Sequence, residues 1–500
     1  MNKGLNVSSR PPYLIIAVLM VGAFISFLNN TLLNVALTSI MGDLHVETST
    51  VQWLTTGFML VSGVMIPTTA FLIQKYSVRR LFLVAMSLFT IGTIVGAIAH
   101  VFPILLAARM IQASGSAIMM PLLMNVMLVS FPIEKRGTAM GVFGLILMFA
   151  PAIGPTLSGW IVEHYNWRAL FYLVAPIAFV ILILGFILLK DKKEKVQMRL
   201  DFTSLIMSSL GFGGLLYGFS TAGGDDGWSN PIVYISLGIG AISLILFITR
   251  QSKMERPMLN FAVFKYPMFA LASAITMVLN MAMFSGFLLI PIYAQAVLGI
   301  SPMKTGLMLL PGAILNAGMS PITGRLFDKF GGRILAVTGL AIATGTTFVF
   351  SHLEMDTSYH YLMLLHAIRM FGMSMVMMPV STNGLNQLPV HLYPHGTAMN
   401  NTLNQVSAAI GTATLITIMS IRQNTYTEDL IASAGANATP EMLKQLGLQG
   451  MLGGINDTFL VATFLLLAAL VLAFFIKRAR RAEDTNGANE KVTQKAVGNN

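Results

Sequence analysis

The stretch RMIQASGSAIMMP (109–121) is answered 260 residues later by RMFGMSMVMMP (369–379). Both open on an arginine inside an otherwise apolar run and close on Met-Met-Pro. Their surroundings repeat as well. Pro67 is followed by TTAFLIQKYSVRR (68–80) and Pro321 by ITGRLFDKFGGR (322–333), an offset of 254, and KRGTAMG (135–141) returns as PHGTAMN (394–400), an offset of 259. One helical unit therefore occurs twice, separated by an insertion. Parallel repeats of this kind, with a ligand site between the halves near the midplane, are a transporter architecture.

The segments between these landmarks are long and apolar. The chain has 500 residues, 55% of them hydrophobic and only 10% charged, with a mean hydropathy of +0.73; a soluble protein carries about 25% charged residues. A run such as FYLVAPIAFVILILGFILL (171–189) holds no charge, and about 20 apolar residues cross the roughly 30 Å hydrocarbon core as a helix. Such runs recur fourteen times between residues 13 and 477. The first, beginning near Tyr13, is too long for a signal-peptide core and reads as a mature helix. The pattern predicts an all-α polytopic membrane protein. It comprises an N-terminal six-helix bundle (1–190), an inserted transmembrane helix pair with its linkers (191–260, helices near 204–249), a second six-helix bundle (261–480) and a disordered cytoplasmic tail (481–500). Residues 421–455 read as a long external loop that holds short helices or a hairpin.

The formal net charge of +11 does not require a nucleic acid. With the N-terminus inside, 25 of the 31 Lys and Arg residues fall on inner segments and four (Arg168, Lys304, Arg422, Lys444) on outer ones, with Arg109 and Arg369 inside spans. That asymmetry predicts both termini in the cytoplasm. The basic runs at 190–199 and 477–481 are placed to meet anionic lipid headgroups. The absence of cysteine excludes disulfides and cysteine-ligated metals.

Three motifs carry a resemblance. APAIGPTLSG (150–159) in the fifth span, GRLFDKFGGR (324–333) in an inner loop and FLNNTLLNVALTSI (27–40) in the first span resemble the major facilitator superfamily, specifically its fourteen-span drug:proton antiporters. The likeness covers roughly residues 12–477 and includes WRALFYLVAP (167–176). It implies the major facilitator fold, a monomeric multi-pass protein of the bacterial cell membrane, and export of small-molecule drugs against protons with no cofactor. The first-helix asparagine resembles the branch that confers lincosamide resistance.

The resemblance also implies roles. Gly154, Pro155 and Gly159 form the antiporter motif, where glycines let helices approach and proline kinks the helix, giving a pivot between the halves. Gly324, Asp328, Gly331 and Arg333 form a conformational latch at the inner loop. The N-terminal copy departs from the motif: Gln74 stands for the acid, and Ala70 and Ser77 for glycines. That weakens a latch from Gln74 to Arg136. His395 matches Arg136 in the second unit, which predicts an Asp328–His395 contact. The family's acid in the first span is Asn29 here and its proline is Thr38.

None of the 20 Asp and Glu residues falls clearly within the hydrocarbon core, Asp457 coming nearest. Intramembrane carboxylates are the usual proton carriers, so coupling needs another group. The candidates for the substrate and proton pathway are Asn29, Asn30, Asn34, Arg109, Gln112, His366 and Arg369. A charged arginine in a span costs at least about 2.5–3.5 kcal/mol on insertion scales and is rarely idle, although an inter-helix clamp would also satisfy it. Asn29 and Arg109 sit at comparable depth and can bond if their faces meet. His366 and Arg369 share a helix face, and histidine alone titrates near neutrality. His366 is thus either the protonatable group or a structural hydrogen bonder. Met373, Met375, Met377 and Met378 are candidates for a pliable cavity wall, and Trp53 for an interfacial anchor.

Other readings stay open on the same fold: transport of one defined metabolite, in either direction, or facilitation without proton coupling. An enzyme would need acids, paired histidines or a nucleophile grouped at one face, and no catalytic or metal-ligating set of that kind is present. An ATP-driven pump would need a Walker-type loop, which the sequence lacks.

Overall fold

A computed structural model describes residues 13–478 apart from 47, 52, 191–200, 223–226 and 435–438. The expected tail (481–500) and most of the basic run 190–199 lie outside the described residues. Fourteen helices follow in order: α1 (Tyr13–Leu44), α2 (Trp53–Lys75), α3 (Val78–Ala97), α4 (Phe102–Ser130), α5 (Arg136–His164), α6 (Arg168–Leu188), α7 (Phe202–Ala222), α8 (Pro231–Lys253), α9 (Pro267–Ile292), α10 (Pro302–Phe330), α11 (Gly332–Phe350), α12, α13 (Tyr393–Ala434) and α14 (Pro440–Ala473). The twelfth is in two pieces, α12a (Tyr359–Ser374) and α12b (Met377–Asn386). Thirteen membrane-spanning candidates are long and apolar enough among the described residues. The remaining helix, α5, has 29 residues and at 1.5 Å per residue also exceeds the hydrocarbon thickness.

Local chemistry sets the ends. Ser77, Ser301, Asn230 and Thr439 accept first-turn amides of α3, α10, α8 and α14, satisfying donors that have no intrahelical partner. Gly331 joins α10 to α11 at φ +81°, a conformation that glycine adopts without steric cost.

The stretch 421–455 is not a loop. α13 runs unbroken for 42 residues and α14 for 34, so both helices continue past the apolar region as a paired extension. Gly450 and Gly454 leave room for Thr427 and Gln423, and Arg422 pairs with Asp457, which also accepts from Tyr426 (3.1 Å). The polar composition that reads as loop is the solvated surface of a helical hairpin.

The inserted pair packs through glycine. A Cβ at Gly240 would stand 2.7 Å from Leu215 N, and one at Gly214 would stand 2.8 Å from Ser236 O. The pair touches both repeats. Tyr217 of α7 stacks on Trp53 of α2 (5.7 Å), while Trp228, between α7 and α8, donates to Thr417 Oγ1 of α13 (2.6 Å). Ile232, Ile235, Ile239 and Ile242 of α8 stay exposed, a lipid-facing row.

Candidate functional site

Two buried arginines occupy corresponding places. Arg109 on α4 and Arg369 on α12a are both 0% exposed. Arg109 donates from Nη1 to Gln112 Oε1 (3.0 Å) and from Nη2 to Asn30 Oδ1 (2.9 Å), and its guanidinium lies over Phe58 at 4.4 Å. Gln112 passes the network on, donating to Thr93 Oγ1 (2.8 Å) and accepting from Asn29 Nδ2 (3.3 Å). The direct Asn29–Arg109 bond expected from their depth is therefore replaced by a relay. Successive residues point about 100° apart on a helix, so Asn30 meets the guanidinium and Asn29 meets Gln112. The Asn34 side chain lies outside the described residues.

Arg369 is held differently. Its Nε donates to Thr347 Oγ1 (3.0 Å), and Nη2 to Ala282 O (3.1 Å) and Ser285 Oγ (2.9 Å). Gly286 leaves the space that Nη1 occupies, and any side chain there would collide with it. His366, one turn away, is 3% exposed and packs against Gly312 of α10. Arg109 Nε, Arg369 Nη1 and His366 Nδ1 are buried without a hydrogen-bond partner among the described residues. Neither guanidinium pairs with a carboxylate among those residues. The two positive charges are solvated by neutral amides, hydroxyls and a carbonyl.

Sequence reasoning missed Thr93 and Thr347. They stand 254 residues apart, the same offset as the loop motif, so the repeat register could have flagged them. Also missed was the amide stripe of α13. Asn400, Asn401, Asn404 and Gln405 recur at helical spacing, and Asn404 accepts from Asn280 of α9 (2.9 Å).

At one end of the helices the repeats are joined. Asp328, at the end of α10, accepts from Gly137 N (2.7 Å), Thr138 N (2.8 Å) and Thr138 Oγ1 (2.6 Å) at the start of α5. A carboxylate on first-turn amides is favoured by hydrogen bonding and by the helix dipole. The expected Asp328–His395 contact is absent. His395 instead lies 3.0 Å from Gln74 Nε2 and accepts at Nδ1 from Asn260 N (3.1 Å). Arg136 donates to Asn386 Oδ1 (3.0 Å) and Tyr393 OH (2.9 Å). The pairing crosses because each loop motif reaches the opposite repeat's helix start. Arg333, expected in the latch, is exposed. The guanidinium at that turn is Arg478, which donates to Asp328 O (2.9 Å).

The close approach between repeats also differs from expectation. A Cβ at Gly137 would stand 2.5 Å from Gly324 O, and Gly141 faces Ser320 and Pro321. Gly154 instead abuts Thr31 of α1, and Ser158 donates to Leu32 O (2.6 Å), both within the first repeat. Gly159 has open space around it, and the Pro155 side chain lies outside the described residues. The antiporter stretch thus binds α5 to α1, and the earlier glycines of α5 bind it across to α10.

The sequence profile of the Major Facilitator Superfamily matches residues 19–412. An uncharacterized MFS-type transporter YhcA of Bacillus subtilis is 45% identical, with 96% of each chain aligned. Lincomycin resistance protein LmrB of the same organism is 42% identical over 92% of this chain and 95% of its own. Among solved structures, the human organic anion transporter MFSD10 superposes with a TM-score of 0.61 at 14% identity, covering 91% of this chain and 100% of that one, a likeness of fold.

Proposed function

The chain belongs to the major facilitator superfamily, and on that premise we propose that it is a secondary active exporter of amphipathic or cationic drugs, driven by proton entry. The observation that carries this reading is the crossed latch. Asp328 grips the start of α5 and Gln74 meets His395 at one end of the helices. Two repeats whose ends are held by such breakable contacts can rock about the packed α5–α10 seam. The buried Arg109 and Arg369 centres lie in the body of the helices, where alternating access places the cargo.

The excess of Lys and Arg on that end supports placing it, and both termini, in the cytoplasm of a bacterial cell. The latched arrangement is then closed to the cytoplasm. Drug export is supported by the full-length likeness to a protein named for lincomycin resistance. His366 is the group we assign to the proton. Among the described residues it is the one imidazole beside an arginine centre, and no carboxylate pairs with either centre. The protein works as a monomer, with the two six-helix units as its moving parts.

The absence of a carboxylate from both arginine centres among the described residues favours one rival, a facilitator without proton coupling. Purified protein in liposomes, loaded with ethidium or lincomycin under an imposed pH gradient, separates the two. The proposal expects drug movement several-fold faster with the gradient than without it. Equal rates with and without the gradient would leave a facilitator, and no movement of either probe would remove the drug-exporter reading.

A further inference from the structure

α2 and α13 belong to different repeats. At the latched end they meet directly, Gln74 lying 3.0 Å from His395. Toward the other end both reach the inserted pair. From α2, Trp53 stacks on Tyr217 (5.7 Å), the Thr56 hydroxyl lies 3.4 Å from that of Ser220, and Leu216 fills the notch that Gly63 leaves. From α13, Thr417 accepts from Trp228 (2.6 Å), and Ala413 shares one buried cluster with Ala222 and Val233. Thr56 stands 18 residues from Gln74, and Thr417 stands 22 from His395. At 1.5 Å per residue these contacts lie about 27–33 Å from the latch. α7 is thus wedged between the repeats at the end away from it.

The two sides of the wedge are built differently. Against α2 the fit is interlocked, the arrangement in which ridges of one helix enter grooves of the other. Gly213, Leu216, Tyr217 and Ser220 form one helical stripe, with Leu216 seated at Gly63 and Gly213 facing Val64 (a Cβ there would stand 3.4 Å from Cγ2). Against α13 the surface is smooth: small side chains and one hydrogen bond from a long one. Packed helices of that kind can shear past each other. In the rocking motion proposed above, repeats latched at one end part toward the other, and a seam opens between α2 and α13. Apolar surface leaves water for hydrocarbon wherever a path exists, so an open seam would admit lipid chains and lose an amphiphile sideways. α7 fills that seam. Behind it lies α8, packed on it through Gly214 and Gly240, with its isoleucine row exposed.

We propose that α7 is a sliding seal. It rides with the first repeat, slips along α13 as the repeats rock, and keeps the outer seam shut to the membrane so that the path opens to water alone. The sliding rests on the exporter reading above; the seal rests on the packing.

The chain has no cysteine, so inserted ones report alone. Val64→Cys, beneath α7, should react slowly with a maleimide dissolved in the bilayer of liposomes. Adding Leu216→Ala should speed that reaction at least fivefold, while Ile239→Cys on the exposed face of α8 reacts equally fast with and without it. Equal rates at Val64→Cys in the two backgrounds would overturn the seal. For the sliding, Thr56→Cys/Ser220→Cys oxidised to a disulfide should keep at least half of its ethidium transport. Ala222→Cys/Ala413→Cys, joined by a short reducible bismaleimide, should lose about tenfold and recover when the linker is cleaved, which shows that the protein is folded. Loss in both proteins, or in neither, would overturn the sliding. If wild type moves no ethidium, the exporter reading falls and takes the sliding with it, and alkylation still decides the seal.

Discussion

The two repeats share a skeleton and differ in chemistry. Each buries an arginine on its fourth helix and uses a threonine 254 residues from its mate, Thr93 or Thr347, directly or through Gln112. The N-terminal centre is finished with amides, Asn29, Asn30 and Gln112, none of which titrates near neutrality. The C-terminal centre is finished with hydroxyls and a carbonyl, and carries His366 one turn away. The loops divide in the same way: Gln74 is neutral where Asp328 is charged. Duplication supplies symmetric scaffolding, and of the two arginine centres only the C-terminal one has an imidazole beside it. The proposed proton coupling is accordingly assigned to the C-terminal repeat, the N-terminal centre offering only neutral hydrogen bonding.

The contrast breaks most sharply at the centres. His366→Ala is expected to abolish stimulation of drug efflux by a pH gradient while binding persists. Gln112→Ala is expected to slow efflux about tenfold, the cost of roughly 1.4 kcal/mol, yet keep the gradient response. Efflux from liposomes with and without the gradient reads both. A Gln112→Ala protein that loses its gradient response would erase the division between the repeats.

The latches come next. Asp328 holds three donors, and hydrogen bonds to a charged group contribute about 1.5–3 kcal/mol each against about 1 for neutral ones. Asp328→Asn should reduce transport about tenfold, and Gln74→Ala by no more than about twofold. Equal losses would mean that charge is irrelevant to the closed end.

Smaller still is the effect of trimming one acceptor from each guanidinium. Asn30→Ala removes the acceptor of Arg109 Nη2, at about 1–3 kcal/mol, whereas Ser285→Ala leaves Arg369 Nη2 bonded to Ala282 O. Both should lower the thermal unfolding midpoint in detergent, Asn30→Ala by more, because Arg369 keeps two further acceptors that Ser285 does not supply. The reverse order would show that the N-terminal amides are the softer shell.

The smallest expected effect lies outside both repeats. Asp201 precedes α7 and is held down to about 2 by the hydrogen bond from Arg250 (2.7 Å), with a further bond from Ser204. A carboxyl depressed in the folded state contributes stability above its ordinary range near 4, and loses it as pH falls toward 2. The unfolding midpoint should therefore drop slightly more between pH 5 and 3 in wild type than in Asp201→Asn.

Much of this was legible in the residues. Apolar run length and the recurring RM…MMP segments expose the spans and their duplication. Repeat register was less informative about contacts. It pairs Arg136 with His395 as equivalents, but in three dimensions each loop motif crosses to the other repeat, which no offset reveals. The glycines of 150–159 looked like the inter-repeat pivot because composition shows that a helix can pack tightly but not against what. The break in α12 was invisible because Met-Met-Pro is common to both copies. It depends on Asn316 and Thr323, more than fifty residues earlier, which donate to Met370 O and Ser374 O. At 421–455 a hairpin was one of the readings open, but not that it simply prolongs α13 and α14, because a solvated helix and a loop share the same polar composition.

The central claim, that the proton is exchanged at His366 in the C-terminal repeat, is tested most directly by proton release. Lincomycin is added to purified protein in unbuffered detergent solution containing a pH indicator, near pH 6.5. Wild type and Asn30→Ala should release protons in proportion to drug bound, and His366→Ala should bind drug and release none. Equal release from His366→Ala and wild type would contradict the claim and move the coupling site elsewhere in the chain.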